Sequence, residues 1–128
     1  MSKIDITSVT HRFTLPGRKE LTAIKDINLS VNSGEIVAIV GESGCGKSTV
    51  LNLIAGLLHP TSGSVEVNDK PVCGPHYSRM MMFQAPSVLP WLTVEENLAF
   101  GCKIRGETKG LEENVADTIM QIGLAGFE

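Results

Sequence analysis

Apolar and polar positions alternate from Lys3 to Phe13 through Ile4, Ile6 and Val9, then His11 and Phe13. A period of two predicts a strand with one buried face, here with an irregularity near Ser8 where the alternation slips. Leu15 to Glu20 reads as a polar turn. Ala23 to Val31 alternates again through Ile27, Leu29 and Val31 and predicts a second strand, so the chain opens on an antiparallel pair. Asn32-Ser33-Gly34-Glu35 is a tight turn. The pattern then changes: Ile36 to Val40 is apolar at every position, as in a strand buried on both faces. From Lys47, apolar residues at Leu51, Ile54, Ala55 and Leu58 mark one face of a helix. Pro60 to Gly63 is a turn, Ser64 to Val67 a short strand, and Asn68-Asp69 closes it. Arg79 to Phe83 is a further apolar run, with Met80, Met81 and Met82 expected in a buried strand, and Pro86 and Pro90 break regularity after it.

Thr93-Val94-Glu95-Glu96 fits a capping box that starts a helix with Val94, Leu98 and Cys102 on one face. Trp91 is expected to pack the proline-rich loop before it. Gly106 to Gly110 is a break. Leu111, Val115, Ile119 and Ile122 form a last amphipathic helix ended by Gly123. Neither an internal repeat nor a linker is visible.

Length and composition narrow the class. The chain of 128 residues is one domain at most. Its 11 Lys plus Arg against 14 Asp plus Glu give a net charge of -3, which argues against a nucleic-acid binder that relies on a basic surface. Cys45, Cys73 and Cys102 are too few and too widely spaced for a disulfide framework. No apolar signal segment follows Met1, and no apolar stretch is long enough to span a bilayer, so a reducing cytosolic setting is the default expectation.

The chemistry concentrates in Gly41-Glu42-Ser43-Gly44-Cys45-Gly46-Lys47-Ser48, which matches G-x-x-x-x-G-K-[ST] at every fixed position. A loop that wraps a dense phosphate anion must present backbone N–H groups, and side chains would obstruct that approach. Glycines at 41, 44 and 46 remove the obstruction. The helix that starts near Lys47 aims its dipole and free N–H groups at the anion. Lys47 adds a mobile positive charge for β- and γ-phosphates. The Ser48 hydroxyl is an oxygen ligand suited to Mg²⁺, and Thr49 adds a second hydroxyl near the α-phosphate. Cys45 lies in the loop beside the helix start, a setting that raises thiol reactivity. The buried strand before the motif and the helix after it are the context that distinguishes it from a chance glycine-rich turn. Small-molecule kinases usually carry this loop on the first strand, whereas two strands precede it here. The Asn-Lys-x-Asp motif of a GTPase does not occur, and the glycine loop of protein kinases has another spacing.

The chain resembles the N-terminal part of an ATP-binding cassette (ABC) transporter ATPase. Besides the P-loop, the resemblance rests on Phe13, Leu29 to Glu35, Leu51 to Leu57, Pro60 to Val65 and Phe83-Gln84. Leu89-Pro90-Trp91-Leu92-Thr93-Val94 is similar to the branch that imports nitrate, sulfonate and taurine. The resemblance covers residues 1–128 and implies an α/β fold: a P-loop NTPase of ABC type, with an antiparallel β subdomain plus a partial parallel sheet around the P-loop helix. It implies ATP and Mg²⁺ as ligands. Phe13 would stack on adenine, the alternative being a core aromatic. Gln84 would link Mg²⁺ and the attacking water to the interface with the membrane subunit, the alternative being a solvated loop glutamine. Ala85 departs from the polar residue often found there. Expected partners are a second ATP-binding subunit in a head-to-tail dimer, transmembrane permease subunits and, indirectly, a solute-binding protein. The expected location is the cytoplasmic face of the cell membrane.

Three family features do not occur after Ser48: an apolar strand ending in Asp-Glu, a Leu-Ser-Gly-Gly-Gln-type signature loop and the switch histidine, for which His59 and His76 lie in the wrong context. The chain thus resembles roughly the first half of the ATP-binding domain, and apolar surface is expected to be exposed. Three readings follow: part of an importer ATPase, a nucleotide-binding module without turnover, or a soluble ABC protein of DNA repair or translation.

Overall fold

The computed structural model describes residues 3–83, 85 and 87–127. The chain divides into two compact units, Met1–Met82 and Phe83–Glu128.

The first unit is built on two long strands, β1 (Ile4–Thr14) and β2 (Glu20–Val31). They are followed by helix α1 (Lys47–Ala55), strand β3 (Ser62–Val67) and the short strand β4 (Lys70–Pro71). The sheet order is β2-β1-β3-β4 and every pair is antiparallel. The slip expected near Ser8 is present: the β1–β2 register shifts between Ile6 and Val9. Ser8 (φ +47°) and Asp26 (φ +49°) both adopt positive φ there. Side chains replace the disturbed ladder bonds. Ser8 N–H donates to Asn28 Oδ1 at 2.8 Å, and Asp26 N–H donates to Thr10 Oγ1 at 3.1 Å. At the sheet's far end Lys3 Nζ lies 2.8 Å from Asp5. Its hydrogen bond, with a second from Ser30 Oγ, holds the Asp5 carboxyl below its ordinary value.

Helix α1 packs on this sheet through a core of Ile6, Val9, Ile24, Val50, Leu53 and Val65. The face differs in part from the expected one. Val50 and Leu53, three residues apart, are buried, whereas Leu51 is 47% exposed. Ile54 and Leu58 only flank the core. The helix carries apolar side chains on two sides: of the expected face Ala55 is buried, Ile54 and Leu58 pack against the core and Leu51 is exposed, while the burial of Val50 and Leu53 lies outside the expected face. On the second side Leu51, Ile54 and Ala55 border an apolar cleft of about 330 Å³ together with Met80, Met81 and Met82.

The two runs expected as buried strands form no ladder. Ile36–Val40 has no strand assignment, and Ile36 and Val40 are 98% and 87% exposed. Arg79–Phe83 is likewise irregular, with Met80 and Met82 open to solvent. A segment apolar on both faces is stable as a strand only between neighbours, and among the described residues none lies beside either run. The antiparallel part of the expected fold is therefore complete, and no parallel strand pair forms among the described residues.

In the second unit, α2 (Val94–Arg105) and α3 (Leu111–Gln121) bury Ala99 against Val115 and Ile119, with Val94, Leu98 and Leu111 around them. The capping box forms as expected: Glu96 N–H donates to Thr93 Oγ1, and Thr93 N–H to the Glu96 carboxylate. Trp91 does not pack the loop before the helix, being 74% exposed. Asn97 organises it instead. Its amide donates to the carbonyls of Leu89, Leu92 and Thr93 and accepts from Leu89 N–H.

The packing of α1 makes a direct prediction. Leu53→Ala, which empties a fully buried site, is expected to cost about 3 kcal/mol. Leu51→Ala should cost less than about 1 kcal/mol. Urea midpoints of the two variants measure the difference, and equal losses would contradict this helix orientation.

Candidate functional site

The loop Gly41–Gly46 is shaped by its own backbone and by the helix it feeds. Cys45 N–H donates to the Glu42 carbonyl at 3.3 Å, and Val50 N–H to Gly46 at 3.0 Å, which closes the first turn of α1. Gly46 is the helix N-cap, with φ +97° and ψ +5°. A β-carbon there would stand 2.5 Å from Ile24 Cγ2 and 2.8 Å from the Ala23 carbonyl oxygen. Both the backbone angle and the contact with β2 therefore require glycine. With no side chain at the cap and no acid in the first turn, the helix begins with uncapped N–H groups and an unopposed positive dipole end.

Lys47 folds back over the loop. Its Nζ donates to the carbonyls of Gly41 at 2.9 Å and Glu42 at 2.6 Å, and lies 3.5 Å from Cys45 Sγ. The ammonium is thereby held above the loop by acceptors that an anion can replace. Ser43 and Cys45 are exposed. Ser48 is exposed, and Thr49 is buried at the base of the helix.

Strands β1 and β2 supply the other wall. A cleft of about 280 Å³ is lined on one side by Gly44, Gly46, Lys47, Ser48 and Thr49. Phe13, Leu21, Thr22 and Ala23 line the other side. Phe13 lies opposite Leu21 in the β1–β2 ladder and is 36% exposed, so it is a half-open cleft wall and not a core aromatic. The structure thus brings Phe13 together with Gly44, Gly46, Lys47, Ser48 and Thr49, 31 or more positions later, whereas Gly41, Glu42, Ser43 and Cys45 do not line this cleft. Gln84 lies outside the described residues. Leu21, Thr22 and Ala23 were not singled out from sequence. Their signal is the short Leu15–Glu20 turn, which sets Leu21 opposite Phe13.

No cluster of three or more His, Cys, Asp or Glu side chains capable of holding a metal exists among the described residues. Hydroxyl groups of Thr22, Ser48 and Thr49 line the cleft, and the exposed Ser48 at the start of α1 is the candidate ligand among them. One hydroxyl fits Mg²⁺ that arrives with phosphate oxygens and retains waters, the usual mode for this hard, reluctantly dehydrated ion.

Two outcomes are expected from this geometry. Gly46→Ala should destabilise the loop by about 2 kcal/mol or more, because positive φ and a backbone contact oppose the added methyl. It should also weaken Mg-ATP binding in a fluorescence titration, and native-like affinity would contradict the close approach to β2. Alkylation of exposed Cys45 should block nucleotide binding, and Mg-ATP should slow the labelling. Equal labelling rates with and without saturating nucleotide, read by mass spectrometry, would place the thiol outside the binding site.

Similarity to known proteins agrees with this arrangement. The ABC transporter family model matches residues 24–128. A taurine import ATP-binding protein, TauB, of Jannaschia sp. is 38% identical over all of this chain and 48% of its own length. TauB of Burkholderia pseudomallei is 47% identical over 87% of this chain and 43% of its own length. The chain spans about half the length of the curated relatives it matches. Among solved structures, the ATP-binding cassette MJ0796, a dimer in a post-hydrolysis state bound to ADP and Pi, aligns with a TM-score of 0.74 at 26% identity. That alignment covers 91% of this chain and 56% of the other. The antiparallel sheet, the P-loop that opens α1 and the family match over most of the chain make it a member of the ABC transporter family.

Proposed function

We propose that this chain is the nucleotide-holding, N-terminal part of an ABC importer ATPase. The observation that carries the proposal is the shared cleft, in which the Phe13 ring and the start of α1 face one volume. Phe13 stacks on adenine. The backbone of Gly41, Glu42, Ser43, Gly44, Cys45 and Gly46 wraps the phosphates. Lys47 exchanges its loop carbonyls for β- and γ-phosphate oxygens, a charge-assisted bond stronger than the one it gives up. Ser48 ligates Mg²⁺, and Thr49 supports the α-phosphate side. Gln84 would be the residue that links Mg²⁺ and the attacking water to the permease interface. When bound, Mg²⁺ would supply neutralisation of phosphate charge.

Turnover needs a general base and a γ-phosphate clamp, and the sequence after Ser48 contains neither an apolar strand ending in Asp-Glu nor a signature loop. In this reading those parts belong to the remainder of a protein about twice as long, as the coverage of the TauB relatives supports. The exposed Ile36–Val40 and Met80–Met82 runs are strands awaiting that remainder. A second copy completes each nucleotide site head to tail, permease subunits anchor the pair at the cytoplasmic face of the membrane, and a solute-binding protein acts through them. Among the described residues no helix is long and apolar enough to cross a membrane. The names of the relatives support a sulfonate such as taurine as the transported solute.

Lys47→Ala should lower the affinity of the chain for Mg-ATP by about 30-fold or more, since it leaves phosphate charge without its closest cation. The 128-residue chain alone should show no ATP turnover. Unchanged affinity in the variant, or turnover that Lys47→Ala abolishes, would overturn this assignment.

A further inference from the structure

His11 stands behind the cleft wall, in contact with Phe13 but outside the cleft lining itself. It lies on β1 two positions before Phe13 and is only 8% exposed. Its Nδ1 stands 2.8 Å from the carbonyl oxygen of His59, so that ring nitrogen carries the proton and donates. Its Nε2 is buried and has no partner among the described residues. A core position gains nothing from an unpartnered ring nitrogen, and an aliphatic side chain would fill the space without that desolvation cost. Core packing alone therefore does not account for a histidine here.

The bond from His11 Nδ1 to the His59 carbonyl calls for a polar ring, and the contact with Phe13 calls for a ring at this place. The imidazole meets the Phe13 ring at a centroid distance of 4.6 Å and an interplanar angle of 82°. An edge-to-face pair fixes the plane of each ring relative to the other. Phe13 has solvent on one side and would otherwise sample several orientations. The His11 ring is itself held at its far end by the segment that follows α1. Thr61 N–H donates to the Thr10 carbonyl and Arg12 N–H to Thr61 Oγ1, so β1 and the His59–Thr61 segment are tied on both sides of His11.

We propose that His11 is a positioning residue for the nucleobase: pinned by the His59 carbonyl, its ring holds Phe13 in the plane that stacks on adenine. The inference rests on the reading of Phe13 as the adenine platform. A stacking surface binds best when its orientation is set before the ligand arrives, because the ordering cost is then already met. His11 thus acts on the base and leaves the phosphates to the loop.

The test compares two probes, Mg-ATP and magnesium tripolyphosphate, by calorimetric titration of the full chain. His11→Asn keeps a donor for the His59 carbonyl and removes the ring. His11→Phe keeps a ring against Phe13 and removes the donor. His11→Asn is expected to weaken Mg-ATP by about 5-fold and leave tripolyphosphate unchanged, while His11→Phe, which keeps the ring and loses the pin, weakens Mg-ATP by only about 2-fold. Equal weakening of both probes would show a merely structural role, and undiminished Mg-ATP affinity in His11→Asn would show that the ring does not position the base. Either result overturns the proposal. Should Phe13→Ala bind Mg-ATP as tightly as the native chain, the adenine platform itself is wrong and the proposal falls with it. Should the native chain bind neither probe, the nucleotide reading fails instead, which separates the two failures.

Discussion

The approach of Gly46 to the backbone of β2 is the contact on which the candidate site depends. An N-cap with no side chain lets the helix start directly against Ala23 and Ile24. That contact places the positive end of α1 beside the strand pair that carries Phe13. The core formed by Val50 and Leu53 on Ile6, Val9, Ile24 and Val65 holds the helix in that position. Ile24 belongs to both arrangements: it is a core residue, and its methyl group defines the space in which only glycine fits. Stability and phosphate recognition are therefore coupled through one side chain, and neither can be altered there without the other.

Local elements were legible in the sequence because their signals are local. The capping box at Thr93, the slip near Ser8, the turn before Glu20 and the P-loop each depend on residues a few positions apart. The errors share a different cause. Ile36–Val40 and Arg79–Phe83 have the composition of buried strands, but a strand exists only where a neighbour offers hydrogen bonds, and composition carries no information about neighbours. The buried face of α1 was only partly legible for a related reason. Both sides of that helix are apolar, and the decision between them belongs to the sheet it meets. Trp91 was expected to organise its loop because it is large. The small amide of Asn97 does so because the loop's unsatisfied groups are polar.

Within the site, the P-loop residues and Phe13 were each visible, the first from spacing and the second by resemblance to the ABC family. Their meeting in one cleft was not, since it depends on the hairpin register and on how α1 crosses the sheet. Leu21 to Ala23 and His11 went unnoticed for the same reason. They carry no distinctive chemistry as a string, and they gain significance from what stands opposite them.

The paired irregularity at Ser8 and Asp26 works as an alignment key for the hairpin. Two simple alternating strands could slide past one another by two residues and still keep their apolar faces together. Here the sliding is barred, because Asn28 must meet Ser8 and Thr10 must meet Asp26, and a shifted pairing breaks both bonds at once. A misaligned hairpin is thereby penalised near its middle, before the helix has anything to pack on. The pairing of Phe13 with Leu21 a few residues farther along depends also on the two further register shifts, on either side of His11, that lie between it and that key.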